Sequence, residues 1–188
     1  MLQEGEGRVP VGLIVRELPH KDISRVAEID RSEHITRGYV FKNGVLESQQ
    51  VDWEVPRWSE DPARGFSVQA RIDEWRPLLD EGGVLLGAMD GDTLAGVAII
   101  RPRLSEGTAQ LAALYVDRKY RRQGVATALV AEVERIARKE GAAGLYVSAI
   151  PSESAVGFYL QRGFTPTDDV NKELFELEPD DIHMIKPL

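Results

Sequence analysis

The sequence predicts one domain of the α+β or α/β class, built around a mixed sheet with helices packed against it. Two observations predict this class. Strand-like segments dominate the earlier part of the chain, and a strand–helix–strand–helix–strand succession completes it. The 188 residues include 43% hydrophobic and 29% charged side chains, which suits one domain with a core of its own.

The earlier elements are a strand, two helices and an irregular region between the helices. Apolar residues favour a strand in residues 13–18 and a short amphipathic helix in residues 20–31. The Asn-Gly pair at 43–44 predicts a turn between two extended segments. Residues 67–83 have a helical pattern, in which Pro77 is expected to kink or divide the helix.

The later elements have clearer limits. Two buried strands on either side of Gly91-Asp92 are expected to form a hairpin. Residues 108–116 read as another strand, and a long helix from Val125 ends in the glycine-containing sequence KEGAAG. The last three predicted elements are a strand at 145–150, a helix at 152–162 and a strand at 181–188.

The charge pattern excludes some classes of function. The formal net charge is −8, and residues 168–181 alone carry −6 of it, with seven acids and one lysine. Because this chain has no basic face, nucleic-acid binding is disfavoured. The acidic segment is interpreted either as a solvated loop or as a rim that attracts a cationic substrate.

No targeting or anchoring segment is evident. The N-terminus lacks the pattern of a secretory signal, and the longest apolar runs are far shorter than the roughly 20 residues that span a membrane. The chain has no cysteine. We therefore expect a cytoplasmic protein with no membrane partner and no thiolate metal site.

Four cations, Arg118, Lys119, Arg121 and Arg122, stand in one short turn between a predicted strand and a helix. The first turn of a helix leaves its N–H groups unpaired, and the helix dipole makes that end positive. Small residues at 124 and 126 allow an anion to approach the backbone. The turn is therefore either plain surface or an anion cradle suited to phosphates, and it fits neither the P-loop nor the dinucleotide-binding pattern.

Two motifs carry a resemblance to a known family. LYVDRKYRRQGVATALV, residues 114–130, resembles the cofactor motif of the GCN5-related N-acetyltransferases, the GNAT family. SESAVGFYLQRGF, residues 152–164, is similar to the family's next motif, which ends in Gly-Phe. The resemblance implies the GNAT fold with a mostly antiparallel sheet. It also implies acetyl-CoA as co-substrate, no metal, and acetyl transfer to a primary amine.

The resemblance implies roles for individual residues. The end of the strand, Leu114, Tyr115 and Val116, would pair with the pantetheine arm. The pyrophosphate loop would consist of Arg121, Arg122, Gln123, Gly124, Val125, Ala126 and Thr127. Ser152 stands where the family has asparagine, so it either contacts the cofactor or only caps the helix. Tyr159 matches the tyrosine near the thioester sulfur and is the expected proton donor. Backbone N–H groups near Val116 would stabilise the oxyanion.

The residues identify neither the general base nor the acceptor. The strand before Val116 contains no carboxylate, so Glu33, Asp52, Glu54 and the acids after Asp168 remain alternatives to a chain of waters. Tyr39, Trp53 and Glu54 are candidate contacts for a cationic acceptor, through the aromatic rings and the carboxylate. The same residues suit a hairpin that packs on the core.

We expect residues 12–82 to form an acceptor-side half, 83–165 the cofactor-binding core, and 166–188 an acidic loop with the last strand. A monomer or a homodimer is expected. The predicted activity is acetylation of a small, cationic amine by direct attack. The alternatives are a protein or peptide N-acetyltransferase and a non-catalytic acyl-CoA-binding regulator.

Overall fold

The computed structural model describes residues 12–61 and 66–188. It contains nine strands and four α-helices in these ranges, together with two 3-10 helices, His20–Glu28 and Arg118–Tyr120. The strands are β1 Leu13–Glu17, β2 Glu33–Lys42, β3 Val45–Val55, β4 Val84–Asp90, β5 Thr93–Ser105, β6 Thr108–Val116, β7 Gly144–Ala149, β8 Thr165–Pro166 and β9 Ile182–Pro187. The α-helices are α1 Val68–Asp80, α2 Val125–Lys139, α3 Glu153–Gln161 and α4 Lys172–Leu177.

Seven strands form one sheet in the order β1-β4-β5-β6-β7-β9-β8, and β2 and β3 form a separate hairpin. Every pair in the large sheet is antiparallel except β6 with β7. This arrangement confirms the predicted fold class.

Two apolar cores lie on opposite faces of the sheet. One contains the buried stripe of α2, with Leu129 and Val133, and residues of α3 and β9. The other contains α1 and the first 3-10 helix, with Ile23, Ile72 and Trp75. Because helices cover both faces of the sheet, the sequences of its central strands β4, β5 and β6 are nearly continuous apolar runs.

Three local features differ in part from what the sequence predicts. The segment after β1 is a 3-10 helix that ends at Glu28, and residues 30–33 are then held by the turn after β6. Helix α1 is not divided at Pro77: it runs from Val68 to Asp80 with Pro77 in its last turn, where the missing N–H removes a single hydrogen bond. The acidic segment is not merely a solvated loop, because it includes α4 and half-buried carboxyl groups before β9.

No helix among the residues that the structure describes is both long and apolar enough to cross a membrane. Two open surface hollows, of about 330 and 530 Å³, lie around the β5–β6 turn and the C-terminal end of α2. They are lined by none of the predicted site residues.

Candidate active site

Strands β6 and β7, the parallel pair of the sheet, separate soon after they begin and leave a gap between them. The β6–β7 ladder runs only from Thr108 to Gln110 on β6. Beyond this point β6 continues to Val116, paired on its other edge with β5. The register against β5 shifts at Ala112, a β-bulge that changes the course of the strand where the gap opens.

The backbone of β6 presents free hydrogen-bonding groups to this gap. Asp117 N–H donates to the Ala95 carbonyl at 3.0 Å, so the hydrogen-bonded pairs with β5 fall on alternate residues, including Tyr115. Leu114 and Val116 therefore direct their N–H groups away from β5 and into the gap. An extended ligand can pair with these groups as an added strand would.

The predicted phosphate loop forms a sharp turn into α2. Arg122 and Gly124 have φ values of 62° and 80°, in the left-handed region that favours glycine. Gly124 is the N-cap and provides no side-chain cap, and the first intrahelical donor is Ala128, whose N–H bonds the Gly124 carbonyl. The N–H groups of residues 125–127 therefore have no helical acceptor and form a site for an anion.

The position of this helix end is fixed by close packing on the sheet. A Cβ added to Gly96 of β5 would lie 3.0 Å from a methyl group of Val125 and 3.1 Å from one of Leu129. Glycine at 96 therefore allows the first turns of α2 to rest directly on β5. As a result the free N–H groups are held at the end of the gap.

The cations of the turn have different roles. The Arg121 guanidinium donates to the Arg31 carbonyl at 2.8 Å and the Ser32 carbonyl at 3.2 Å, and it lies 3.4 Å from a Glu33 oxygen. It therefore anchors the segment before β2. Arg118, Lys119 and Arg122 are exposed. Gln123 donates to the Lys119 carbonyl at 2.6 Å and braces the turn.

Arg162, which the sequence analysis missed, adds a cation to the start of α2. It follows α3, and its guanidinium donates to the Thr127 hydroxyl in the first turn of α2. Its enclosed Nε has no hydrogen-bond partner. The motif at residues 152–164 indicated a role for Tyr159 only. Nothing in its spacing indicated that the Arg162 side chain reaches α2.

Ser152 has the geometry of a helix cap. It is 2% exposed, and its hydroxyl accepts from Ala155 N–H at 3.2 Å. It also lies 3.0 Å from the Ser154 hydroxyl. These contacts use the hydroxyl locally, so of the two roles considered for Ser152 the structure contains the cap.

Tyr159 lies on the inner face of α3, packed edge-on against Phe158 and Phe164. Its hydroxyl has no hydrogen-bond partner within residues 12–61 and 66–188, and it is not among the fully enclosed polar atoms. Burial raises the pKa of Tyr159, and the charges of Tyr115 and Asp181 raise it further. The phenol therefore keeps its proton at neutral pH and is free to donate it to a ligand.

The three candidate acceptor contacts lie on the β2–β3 hairpin. Tyr39 N–H donates to the Pro151 carbonyl at 2.9 Å, and the Tyr39 side chain packs against the core. Trp53, 37% exposed, covers Gly38 beside the start of α3. Glu54 is exposed, 3.8 Å from His34. The hairpin thus meets the first turn of α3, while Glu54 is turned toward His34.

A different set of residues surrounds Tyr115 on the face of the sheet opposite α2. The Tyr115 ring packs against Trp58 and Trp75, with ring centroids 5.1 and 5.7 Å away. The Arg31 guanidinium lies 4.6 Å from the Trp58 ring centre and 5.8 Å from that of Tyr115. Burial raises the pKa of Tyr115. No periodic signal in the sequence indicated this cluster, because its members come from separate segments: Trp75 from α1, Tyr115 from β6, and Arg31 and Trp58 from connecting segments.

Two carboxyl groups of the acidic segment adjoin this cluster. Asp181 N–H donates to the Glu178 carbonyl at 3.2 Å, so both lie in the tight turn before β9, which pairs with the end of β7. Burial and the Glu178 charge raise the pKa of Asp181 to about 7. Burial and Glu74 also raise the pKa of Glu178, while Arg71, 3.9 Å away, lowers it.

The candidate base Asp52 and the histidines His34 and His183 have surface or structural positions. His34 lies 2.7 Å from an exposed Asp52 oxygen, and this hydrogen bond raises the pKa of His34. His183 is buried and bonds the Tyr146 hydroxyl at 2.8 Å. Within the described ranges no three His, Asp or Glu side chains converge in a way that could hold a metal ion.

Comparisons with known proteins agree with this geometry. The model of the acetyltransferase (GNAT) family matches residues 45–164. The fold is similar to that of nourseothricin acetyltransferase, with a TM-score of 0.69, 18% identity, and coverage of 94% of this chain and 98% of that one. No curated protein sequence matches the chain.

Two further solved structures have the same fold and contain the cofactor. PaiA N-acetyltransferase from Thermoplasma acidophilum, in complex with coenzyme A, has a TM-score of 0.61 and 20% identity, and the match covers 94% of this chain and 99% of that one. A protein assigned as a streptothricin acetyltransferase from Bacillus anthracis str. Ames, in complex with acetyl coenzyme A, has a TM-score of 0.69 and 18% identity, with coverage of 94% and 98%. Because the family model spans well over half of the chain, the protein belongs to the GNAT family and is an acetyl-CoA-dependent N-acetyltransferase.

Proposed function

We propose that this enzyme acetylates the primary amine of a small molecule by direct attack in a ternary complex. The observation that carries the proposal is the pair of half-buried carboxyl groups, Glu178 and Asp181, on the side of the sheet opposite the α2 helix end. Carboxylates in this position suit an ammonium group. The nourseothricin and streptothricin acetyltransferases of the same fold are named for small molecules, which is consistent with the proposal.

The residues present fit acetyl-CoA. The unpaired N–H groups at 125–127, with Arg162 beside Thr127, suit the pyrophosphate. The N–H groups of Leu114 and Val116 suit the amide-containing arm, and the N–H nearest the thioester would also stabilise the oxyanion. Bound in this way, acetyl-CoA supplies the acetyl thioester.

Asp181 is the proposed general base. An alkyl ammonium has an ordinary pKa of about 10.4, so a proton has to leave the nitrogen before or during attack. A carboxyl group whose pKa is about 7 is half ionised near neutral pH and can accept it. The charge of Asp181 also raises the pKa of Tyr159, which is consistent with a place for both groups in one site.

Tyr159 is the proposed proton donor to the leaving sulfur. Among the described residues its hydroxyl has no hydrogen-bond partner, and its raised pKa keeps it protonated. From its place on α3 it would donate the proton to the sulfur. Ser152 is proposed to act only by capping α3. Tyr39 and Trp53 are proposed to border the site through the hairpin, so the acceptor-side half, residues 12–82, would share its role with the segment 166–188. The proposed cofactor-binding core is residues 83–165.

The proposal is tested by following release of free thiol from acetyl-CoA with the whole chain. The panel contains polyamines, amino acids, aminoglycosides and peptides with free N-termini, and calorimetry gives the affinity for acetyl-CoA. Turnover of small amines supports the proposal. Turnover of peptides alone would make the enzyme a peptide N-acetyltransferase, and cofactor binding without any turnover would favour a regulator.

A further inference from the structure

Arg31 is a buried cation that has no anionic partner among residues 12–61 and 66–188. Its side chain is only 7% exposed and lies among three aromatic rings, 4.6 Å from Trp58, 4.8 Å from Phe66 and 5.8 Å from Tyr115. Its Nε is fully enclosed and has no hydrogen-bond acceptor. Throughout the described parts of the chain, no carboxylate forms an ion pair with it. A buried guanidinium without an acceptor is costly, so this site calls for an explanation.

The carboxylates close to Arg31 in the chain are committed to other cations. Asp30 lies 2.6 Å from Arg57, and Glu33 lies 3.4 Å from Arg121.

On the neighbouring helix α1, Arg71 lies 2.8 Å from Glu74. Burial lowers the pKa of Arg31, and the like charges of Arg71 and Arg121 lower it further. The neighbouring cations are paired with carboxylates of their own, so Arg31 is left as the cation that an incoming anion would neutralise.

The position of Arg31 is defined by the chain on both sides. Its carbonyl accepts from Arg121, and the N–H and carbonyl of Asp30 bond Asp117 and Arg118 of the turn after β6. The guanidinium is thereby held against the Tyr115 ring, on the same face as Glu178. Aromatic rings provide no lone pair in the guanidinium plane, so they do not satisfy the N–H donors of Arg31.

We infer that Arg31 is the receptor for a carboxylate of the acceptor, so that the substrate is an amine that also carries a carboxylate. This inference rests on the proposed function and narrows its substrate class. In this arrangement the ammonium lies toward Glu178 and Asp181 and the carboxylate lies toward Arg31. The three rings are then not a cage for the substrate's ammonium, because Arg31 already lies among them.

The test uses the acetyl-CoA-loaded enzyme and the Nε–H signal of Arg31 in a ¹H–¹⁵N spectrum, assigned by its loss in Arg31→Lys. Three matched pairs of probes are added: glycine and methylamine, β-alanine and ethylamine, L-lysine and cadaverine. Each pair differs by a carboxyl group. We expect at least one amino acid to shift the Arg31 signal while its matched amine leaves it in place. Equal shifts from both members of every pair, or no shift from any probe, overturn the inference.

A second arm separates the two sources of a carboxylate. If succinyl-CoA shifts the Arg31 signal and the amino acids do not, the carboxylate belongs to the acyl group and the assignment to the acceptor is wrong. In turnover, Arg31→Gln should lower the preference for an amino acid over its matched amine by about 100-fold, as expected for loss of a bidentate charge-assisted pair. The exposed Arg76→Gln is the control and should retain the preference.

Affinity for acetyl-CoA distinguishes failure of this inference from failure of the proposed function. We expect calorimetry to give the same acetyl-CoA affinity for the wild-type chain and Arg31→Gln. A loss of that affinity in Arg31→Gln would make Arg31 a cofactor contact and overturn the inference. If the wild-type chain itself fails to bind acetyl-CoA, the proposed function fails, whatever the probes do at Arg31.

Discussion

The two sides of the β6–β7 gap are built by different means. On the proposed cofactor side, the binding groups are mainly backbone N–H groups from one continuous stretch, Leu114 to Thr127. On the proposed acceptor side they are charged side chains from distant parts of the chain, Arg31 and the pair Glu178 and Asp181.

The difference follows from what each ligand requires. A diphosphate and an amide-containing arm are recognised by backbone dipoles, so the side chains need only be small enough to allow approach. An acceptor is recognised by the charge and shape of particular side chains, which can be exchanged without changing the fold. Arg121 joins the two sides, because it stands in the cofactor turn and holds the carbonyls of Arg31 and Ser32.

The largest effect is expected when the backbone anion site receives a negative charge. Ala126→Glu places a carboxylate at the start of α2, where the helix dipole favours it and folding should not suffer. A like charge about 4 Å from a phosphate costs about 4 kcal/mol at an effective dielectric constant of about 20, so affinity for acetyl-CoA should fall by about 1000-fold. Calorimetry measures this loss.

Ala131→Glu is the matched control, with the same substitution on an exposed position of the same helix. It should bind acetyl-CoA as the wild-type chain does. Equal affinity of Ala126→Glu and Ala131→Glu for acetyl-CoA would remove the pyrophosphate assignment.

The same difference explains what the sequence predicts well. The turn into α2 was predictable because the free N–H groups of a helix start, a left-handed glycine at 124 and a preceding strand are local features. The fold class followed from the periodicity of the strands and of α2. Arg31, by contrast, stands in a polar segment, and only the folded chain shows that Trp58, Phe66 and Tyr115 surround it.

The acidic segment illustrates an intermediate case. Its composition indicated a rim for a cationic substrate or a solvated loop, but composition alone could not single out Glu178 and Asp181 among seven acids. The pairing of β9 with β7 determines which carboxyl groups become half-buried.

The next largest effect is expected at the proposed base. Asp181→Asn keeps the shape of the side chain and removes its ability to take a proton, so kcat should fall by about 100-fold, the lower end of general-base contributions. The wild-type rate should rise with pH around the Asp181 pKa of about 7, and the variant should lose this limb of the profile. Steady-state kinetics across that pH range measures both effects.

Asp180→Asn changes an exposed carboxylate next in the chain and should have the wild-type pH profile. If Asp181→Asn retains both the rate and the profile of the wild-type enzyme, Asp181 is not the base. The affinity of Asp181→Asn for acetyl-CoA should equal that of the wild-type enzyme. Equal affinity shows that the fall in kcat does not come from weaker cofactor binding.

A smaller effect on turnover is expected at Tyr159. Tyr159→Phe removes one free hydroxyl from a packed ring, so kcat should fall by about tenfold, equivalent to one hydrogen bond of about 1.4 kcal/mol made in the transition state. Affinity for acetyl-CoA should change little. Tyr120→Phe is the control, because the Tyr120 hydroxyl bonds Asp90 at 2.9 Å. An equal kcat in Tyr159→Phe and wild-type enzyme would mean that the sulfur receives its proton from another group.

The last effect concerns stability instead of activity and tests whether burial of the Asp181 carboxylate destabilises the folded chain. The Asp181 pKa is raised from 3.8 to about 7 by folding, so the folded chain binds this proton more tightly than the unfolded chain does. Stability from this group is fully present below the unfolded value and is lost as pH rises through the folded one. Asp181→Asn should therefore unfold at a higher denaturant concentration than wild-type at about pH 8, with little difference at about pH 4. A gain of the same size at both pH values would mean that the substitution acts through packing. The charged side chains of the proposed acceptor side would then come from distant parts of the chain, unlike the backbone groups of the proposed cofactor side, but the Asp181 charge would not destabilise the folded chain.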